Sequence, residues 1–110
     1  MAELFASGDW YVMKGKEEEF IENWTEFLQW TRATQPEMVA AALIRDEVDP
    51  SHFISFAQWD DAGARNAWKN SEGFMERFSA CRSLCDDMRG GDYERIVTVE
   101  RDGDRGRVVG

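Results

Sequence analysis

The sequence predicts an α+β domain in which one antiparallel sheet carries helices on a single face. Three observations carry this expectation. Apolar residues recur at helical spacing over Phe20 to Thr31 and again over Phe74 to Met88. Runs rich in aromatic and β-branched residues stand at 4 to 13, 38 to 45, 53 to 59 and 93 to 100. Turn formers separate these segments. The resulting order, strand, helix, strand, strand, helix, strand, is the ferredoxin-like βαββαβ pattern, whose helices leave one sheet face for water or a partner.

In the first strand, LFASGDWYVM, Gly8 suits a bend or bulge. Gly15 and Lys16 break the strand, and Glu17, Glu18 and Glu19 then place negative charge at a helix N-terminus. Phe20, Trp24, Phe27, Leu28 and Thr31 follow at 4, 3, 1 and 3, one face of a helix reaching about Ala33, with Pro36 beyond its end. Met38 to Arg45 reads as the second strand, DEVDPS as a turn, and Phe53 to Trp59 as the third strand. Asp60 or Asp61 can cap a short helix carrying Ala64, Ala67 and Trp68. Ser71 and Gly73 mark a further start. Phe74, Phe78, Cys81, Cys85 and Met88, at 4, 3, 4 and 3, predict a second long helix stopped by Gly90 and Gly91. Tyr93 to Glu100 alternates as a fourth strand. One domain is expected over residues 1–100, with 101–110 as a polar, Gly-rich tail.

At 110 residues the chain has the size of a single domain, and five Trp and seven Phe favour a packed aromatic core. A net charge of −9 repels phosphate backbones and anionic lipid, which argues against nucleic-acid and membrane-surface partners. No apolar run approaches the roughly 18 residues of a membrane span, and the expected location is the cytoplasm. Cys81 and Cys85, the only cysteines, read as small core residues, because a metal site would need further soft ligands and His52 lies far away in sequence. Hydrolase, nucleotide and metal motifs are absent from the sequence.

The third strand raises a question of its own. Phe53, Ala57 and Trp59 point to one face while Ile54 and Phe56 point to the other, and the first strand is apolar on both faces as well. Monomers seldom expose so large an apolar sheet. A second copy packed sheet to sheet buries the same patch on both chains, so a homodimer is expected.

With this order of elements, the segments GKEEEFIENWTEF, LIRDEVDPSHFISFAQWDD, AWKNSEGF and YERIVTV resemble the antibiotic biosynthesis monooxygenase family over about residues 5 to 100. The resemblance implies a dimeric α/β barrel with a cavity between helices and sheet in each subunit. Some members oxygenate phenolic polycyclic substrates without metal or flavin, and others degrade heme. Trp68 matches the tryptophan that lines the site in both catalytic branches. Where heme-degrading members place their iron-ligating histidine this chain has Phe78, and where the oxygenase branch has an asparagine it has Ala64.

The expected function is therefore cofactor-independent oxygenation of a small aromatic molecule. The alternatives are a non-catalytic dimer that binds such a molecule and, third, a heme-handling enzyme. Trp68 is either a cavity wall or core filling. Trp24, Phe74 and Phe78 lie on core-facing stripes and together suggest an aromatic pocket. Tyr11 could donate a hydrogen bond to a phenol or carbonyl, or simply pack at a sheet interface. His52 could accept a proton near neutral pH, or be a solvated turn residue.

Overall fold

The computed structural model describes residues 3–101. Four strands form one antiparallel sheet: β1 (Leu4–Val12), β2 (Met38–Arg45), β3 (His52–Trp59) and β4 (Cys85–Glu94), in the order β2-β3-β1-β4. The helices are α1 (Glu17–Thr34), α2 (Ala62–Lys69) and α3 (Glu72–Arg82). This is the ferredoxin-like arrangement, with its second crossover broken into α2 and α3. The expected tail beyond Arg101 lies outside the described residues.

Each helix starts where its sequence allows. Gly15 adopts φ +90° in the tight link from β1 to α1, a backbone angle that disfavours any side chain. Three glutamates fill the first turn of α1, and its stripe of Phe20, Trp24, Phe27 and Thr31 is buried. Asp61 caps α2 by accepting the Ala64 N–H at 2.7 Å. Ser71 caps α3 by accepting the Phe74 N–H at 3.1 Å, while its own hydroxyl donates to the Trp68 carbonyl and so ties the two short helices together.

The C-terminal third departs from expectation. The helix expected through Met88 ends at Arg82, and residues 85–94, including Gly90 and Gly91, form β4 rather than a helix stop. Tertiary pairing explains the difference. β1 exposes a whole edge of backbone donors and acceptors, and β4 satisfies them from Leu4↔Glu94 to Val12↔Cys85. Cys85 and Met88 still face the core, now from a strand. The strand expected over Tyr93–Glu100 contributes only its first two residues, plus a bond from the Arg95 N–H to the Glu3 carbonyl at 2.8 Å.

Strand alternation sets the two faces of the sheet. Trp10 and Val12 of β1 and Phe53, Ser55, Ala57 and Trp59 of β3 are buried beneath the helices. Phe56, 37% exposed, and Ile44, 49% exposed, point the other way. Trp10, Phe20, Phe27, Phe53 and Trp59 are almost wholly buried, so the core is an aromatic layer between α1 and the sheet. Cys81 and Cys85 sit in it as free thiols, in agreement with the expected core role. Burial pushes Cys81 up to about 12 and Cys85 up to about 11, which keeps both protonated and unreactive near neutral pH.

Candidate functional site: an aromatic cavity between helices and sheet

A cavity of about 380 Å³ lies between the helices and the covered face of the sheet, within the usual range for small-molecule pockets. Its walls come from the apolar stripes of three helices: Trp24 and Phe27 from α1, Trp68 from α2, Phe74 and Phe78 from α3. Its floor is β1 and β3, with Trp10, Ser55 and Ala57, and Met88 reaches in from β4. Gly8 and Gly90 stand opposite each other in the β1–β4 pair and leave room for the Met88 methyl, which a side chain on either would meet at 2.9 and 3.0 Å respectively.

The rings hold one another in place. Phe74 stacks on Phe78 at 5.3 Å and 17°, Trp24 stacks on Phe27 at 4.9 Å, and Trp68 meets Trp59 at 4.9 Å and Phe74 edge-on at 4.7 Å. Trp68 is further fixed by its indole N–H, which donates to the Thr31 hydroxyl at 3.1 Å. Trp68 is thus at once buried in the core and part of the cavity wall. A flat apolar molecule would lie between fixed aromatic faces, with little side-chain entropy left to lose on binding.

Four of the six residues singled out from the sequence, Trp24, Trp68, Phe74 and Phe78, meet at this cavity. The other two do not. Tyr11 and His52 lie on the opposite face of the sheet, because Tyr11 alternates with Trp10 and His52 with Phe53. Their rings stack at 4.6 Å and 7°. Nor is His52 a solvated turn residue: it opens β3 with 16% of its side chain exposed, bonded through Nδ1 to Asp46 at 3.0 Å and through Nε2 to Asp9 at 2.9 Å. The bonds from Asp46, first, and Asp9 raise His52 above its ordinary 6.5, while the His52 bond and two backbone N–H groups hold Asp46 down at about 2.

These shifts fix a sign. A histidine raised in the folded state adds stability that is complete below about pH 6.5 and is lost as pH rises through the higher folded value. Asp46 adds stability that is complete above 3.8 and is lost as pH falls through about 2. The urea midpoint is therefore expected to fall as pH rises above about 6.5, and His52→Gln should flatten that slope. Equal slopes in the two proteins would contradict the assignment. The two cysteine thiols, near 9 when unfolded and higher when folded, add a fall of their own toward that pH in both proteins, so the slopes are compared below about pH 8.

Sequence reasoning did not single out Trp10, Phe27, Thr31, Ser55, Lys69 and Met88, which also line the cavity. Alternation along β1 and β3 could have found Trp10 and Ser55 as neighbours on one face, but nothing in the sequence joins Thr31 to Trp68. Lys69 is the one charged side chain on the wall among the described residues, and its ammonium meets Asp92 at 2.5 Å. Arg65 shares that carboxylate at 3.7 Å. Among the described residues no cluster of three or more His, Cys, Asp or Glu could hold a metal ion, and no helix is long and apolar enough to cross a membrane.

The sequence model of antibiotic biosynthesis monooxygenases matches residues 5–80, well over half of the 110 residues. The chain belongs to this family. SnoaB, a cofactor-independent oxygenase from Streptomyces nogalater, is similar with a TM-score of 0.82 at 22% identity, covering 92% of this chain and 100% of that one. A structure described as an antibiotic biosynthesis monooxygenase is similar with a TM-score of 0.72 at 19% identity, covering 87% and 99%. A conserved protein from Methanosarcina mazei Go1 follows at 0.76 and 17%, covering 84% and 92%. No curated protein matches the chain. At these identities the structural likenesses establish the monooxygenase family's fold for this chain, and the family match rests on the sequence.

Proposed function

We propose that this protein is a homodimeric, cofactor-independent oxygenase of a flat, readily ionised aromatic substrate. The observation that carries the reading is the cavity itself: an apolar, aromatic-walled space of about 380 Å³ in a chain of this monooxygenase family. The similarity to SnoaB, described as a cofactor-independent oxygenase, supports it.

The reaction balances without any group beyond substrate and oxygen. The substrate anion transfers an electron to O₂, a C–O bond forms at the electron-rich carbon, and a proton completes a hydroperoxide. Loss of the second C–H proton with cleavage of O–O then leaves a ketone oxygen on carbon and releases water. The protein's part is to exclude bulk water and hold the anion between rings, so that charge is delocalised at a fixed place. No carboxylate or imidazole lines the cavity among the described residues, and Lys69 is already paired. The substrate must therefore be acidic enough to enter as the anion.

A second reading, a dimer that binds such a molecule without turnover, is favoured by Ala64, which offers no amide where the resemblance places an asparagine. Oxygen uptake separates the two. Flavin-free, chelator-treated protein should accelerate oxygen consumption by anthrone above the spontaneous rate, and Trp68→Ala should lower that rate by about 10²-fold through lost positioning. Trp68→Phe keeps a ring at the wall and serves as the control for stability. Binding of anthrone with uptake at the background rate throughout about pH 6 to 9 would decide for the binding module.

The dimer part of the proposal rests on the uncovered sheet face. Tyr11, Ile44, Phe56 and Tyr93 are each more than a third exposed there, and Ile96, Val97 and Val99 beyond β4 are 78%, 75% and 90% exposed. Exposed apolar surface of this extent fits an isologous partner.

A further inference from the structure

The row of paired residues that crosses the cavity floor, Ser55 on β3, Gly8 on β1 and Gly90 on β4, carries one side chain, and that side chain ends in a hydroxyl. Trp10 donates its indole N–H to the Ser55 oxygen at 3.0 Å. A serine hydroxyl also holds one proton to donate. Among the described residues the Ser55 hydroxyl donates to no acceptor, although the residue is only 5% exposed. A buried donor in an apolar setting without an acceptor is uncommon in folded proteins and points to a partner that arrives later.

Most other polar groups around the cavity are committed. Ser7 donates to the Ser55 carbonyl at 2.9 Å, Lys69 is held by Asp92, and Thr31, which takes the Trp68 N–H, is fully buried, while the Trp24 indole N–H is a second donor on the wall that is buried without a partner. Ser55 differs on a further count. A side chain built on Gly8 would lie 3.5 Å from its oxygen but only 2.9 Å from the Met88 methyl and 3.0 Å from the Trp10 indole nitrogen, so the place beside the hydroxyl is filled by the end of Met88. Methionine is flexible enough to yield that space to a ligand atom. The Trp10 N–H withdraws electron density from the oxygen and strengthens the hydroxyl as a donor.

We propose that Ser55 is the hydrogen-bond donor that fixes one oxygen of the ligand on the cavity floor. The ligand class is then a flat aromatic bearing a carbonyl or phenolate oxygen, placed over the Ser55–Gly8–Gly90 row with its rings among Trp24, Trp68, Phe74 and Phe78. This deepens the proposed function and rests on its reading of the cavity as the ligand site. It is independent of whether oxygen reacts there.

The test measures binding without oxygen, so that turnover plays no part. Tryptophan fluorescence titrations under anaerobic conditions compare anthrone with 9,10-dihydroanthracene, which has the same rings and lacks the carbonyl oxygen. The native protein is expected to prefer anthrone by about 5- to 10-fold, the worth of one hydrogen bond. Ser55→Ala should remove that preference by weakening anthrone alone, and Ser55→Thr, which keeps a hydroxyl, should restore much of it. An unchanged preference in Ser55→Ala would overturn the assignment, as would failure of the native protein to bind either probe. If Ser55→Ala does not fold, the carbonyl stretch of anthrone bound to the native protein replaces it. A shift below its frequency in hydrocarbon solvent supports the bond, and an unshifted band overturns it. Failed oxygen uptake with an intact preference would remove the oxygenase reading and leave this one standing.

Discussion

Replacing Phe27 by alanine is expected to cost about 3 to 5 kcal/mol, a large share of the roughly 5 to 15 kcal/mol that holds a domain of this size. Phe27 is 1% exposed and touches the rings of Trp24 at 4.9 Å, Phe74 at 5.5 Å, Trp68 at 5.9 Å and Trp30 at 6.4 Å. It joins α1 to both short helices. The space it would vacate opens onto the existing cavity, whose walls are braced against one another, so collapse cannot recover the lost contacts. Urea denaturation measures the effect, with Phe27→Leu as the milder comparison. A loss below about 1 kcal/mol would show that α1 is not anchored through this ring.

The second large effect concerns association. On the proposed sheet-to-sheet dimer, Phe56→Asp places an unpaired carboxylate into an apolar interface twice over, once per chain, at about 3 to 5 kcal/mol for each charge left uncompensated. Phe56 is 37% exposed and points away from the helix-covered core, between Ser7 and Ala42 on the neighbouring strands. The protomer should therefore keep its fold while the dimer is lost. Light scattering at micromolar concentration should give twice the chain mass for the native protein and the single-chain mass for Phe56→Asp, with helical circular dichroism retained. A native monomer, or a variant that remains dimeric, would show that another surface serves this face.

Much of the fold was legible because period is a local property. The stripe Phe20, Trp24, Phe27, Thr31 is buried as its spacing requires, and Met38–Arg45 is the second strand to the residue. The acid before α2 and the serine before α3 cap their helices as their types suggest. The stripe from Phe74 to Met88 misled for the same local reason. Its first part is α3, but Cys85 and Met88 satisfy a helical spacing while belonging to a strand, where the register shift opposite Tyr11 and Val12 brings side chains three residues apart onto one face. The long open edge of β1 decided between them.

The sequence by itself determined the α+β class, the element order up to α3, the aromatic character of the interior and the apolar nature of both sheet faces. Each of these follows from spacing and composition along short stretches. The tertiary structure decided which face the helices cover, and with it that Trp24, Trp68, Phe74 and Phe78 surround the cavity while Tyr11 and His52 stand behind the sheet. It also decided the pairing of Trp10 with Ser55, 45 residues apart, and of Thr31 with Trp68, 37 apart. Alternation states that neighbouring residues lie on opposite sides of a strand. It cannot state which side is inside, because that depends on where segments far away in the chain come to pack.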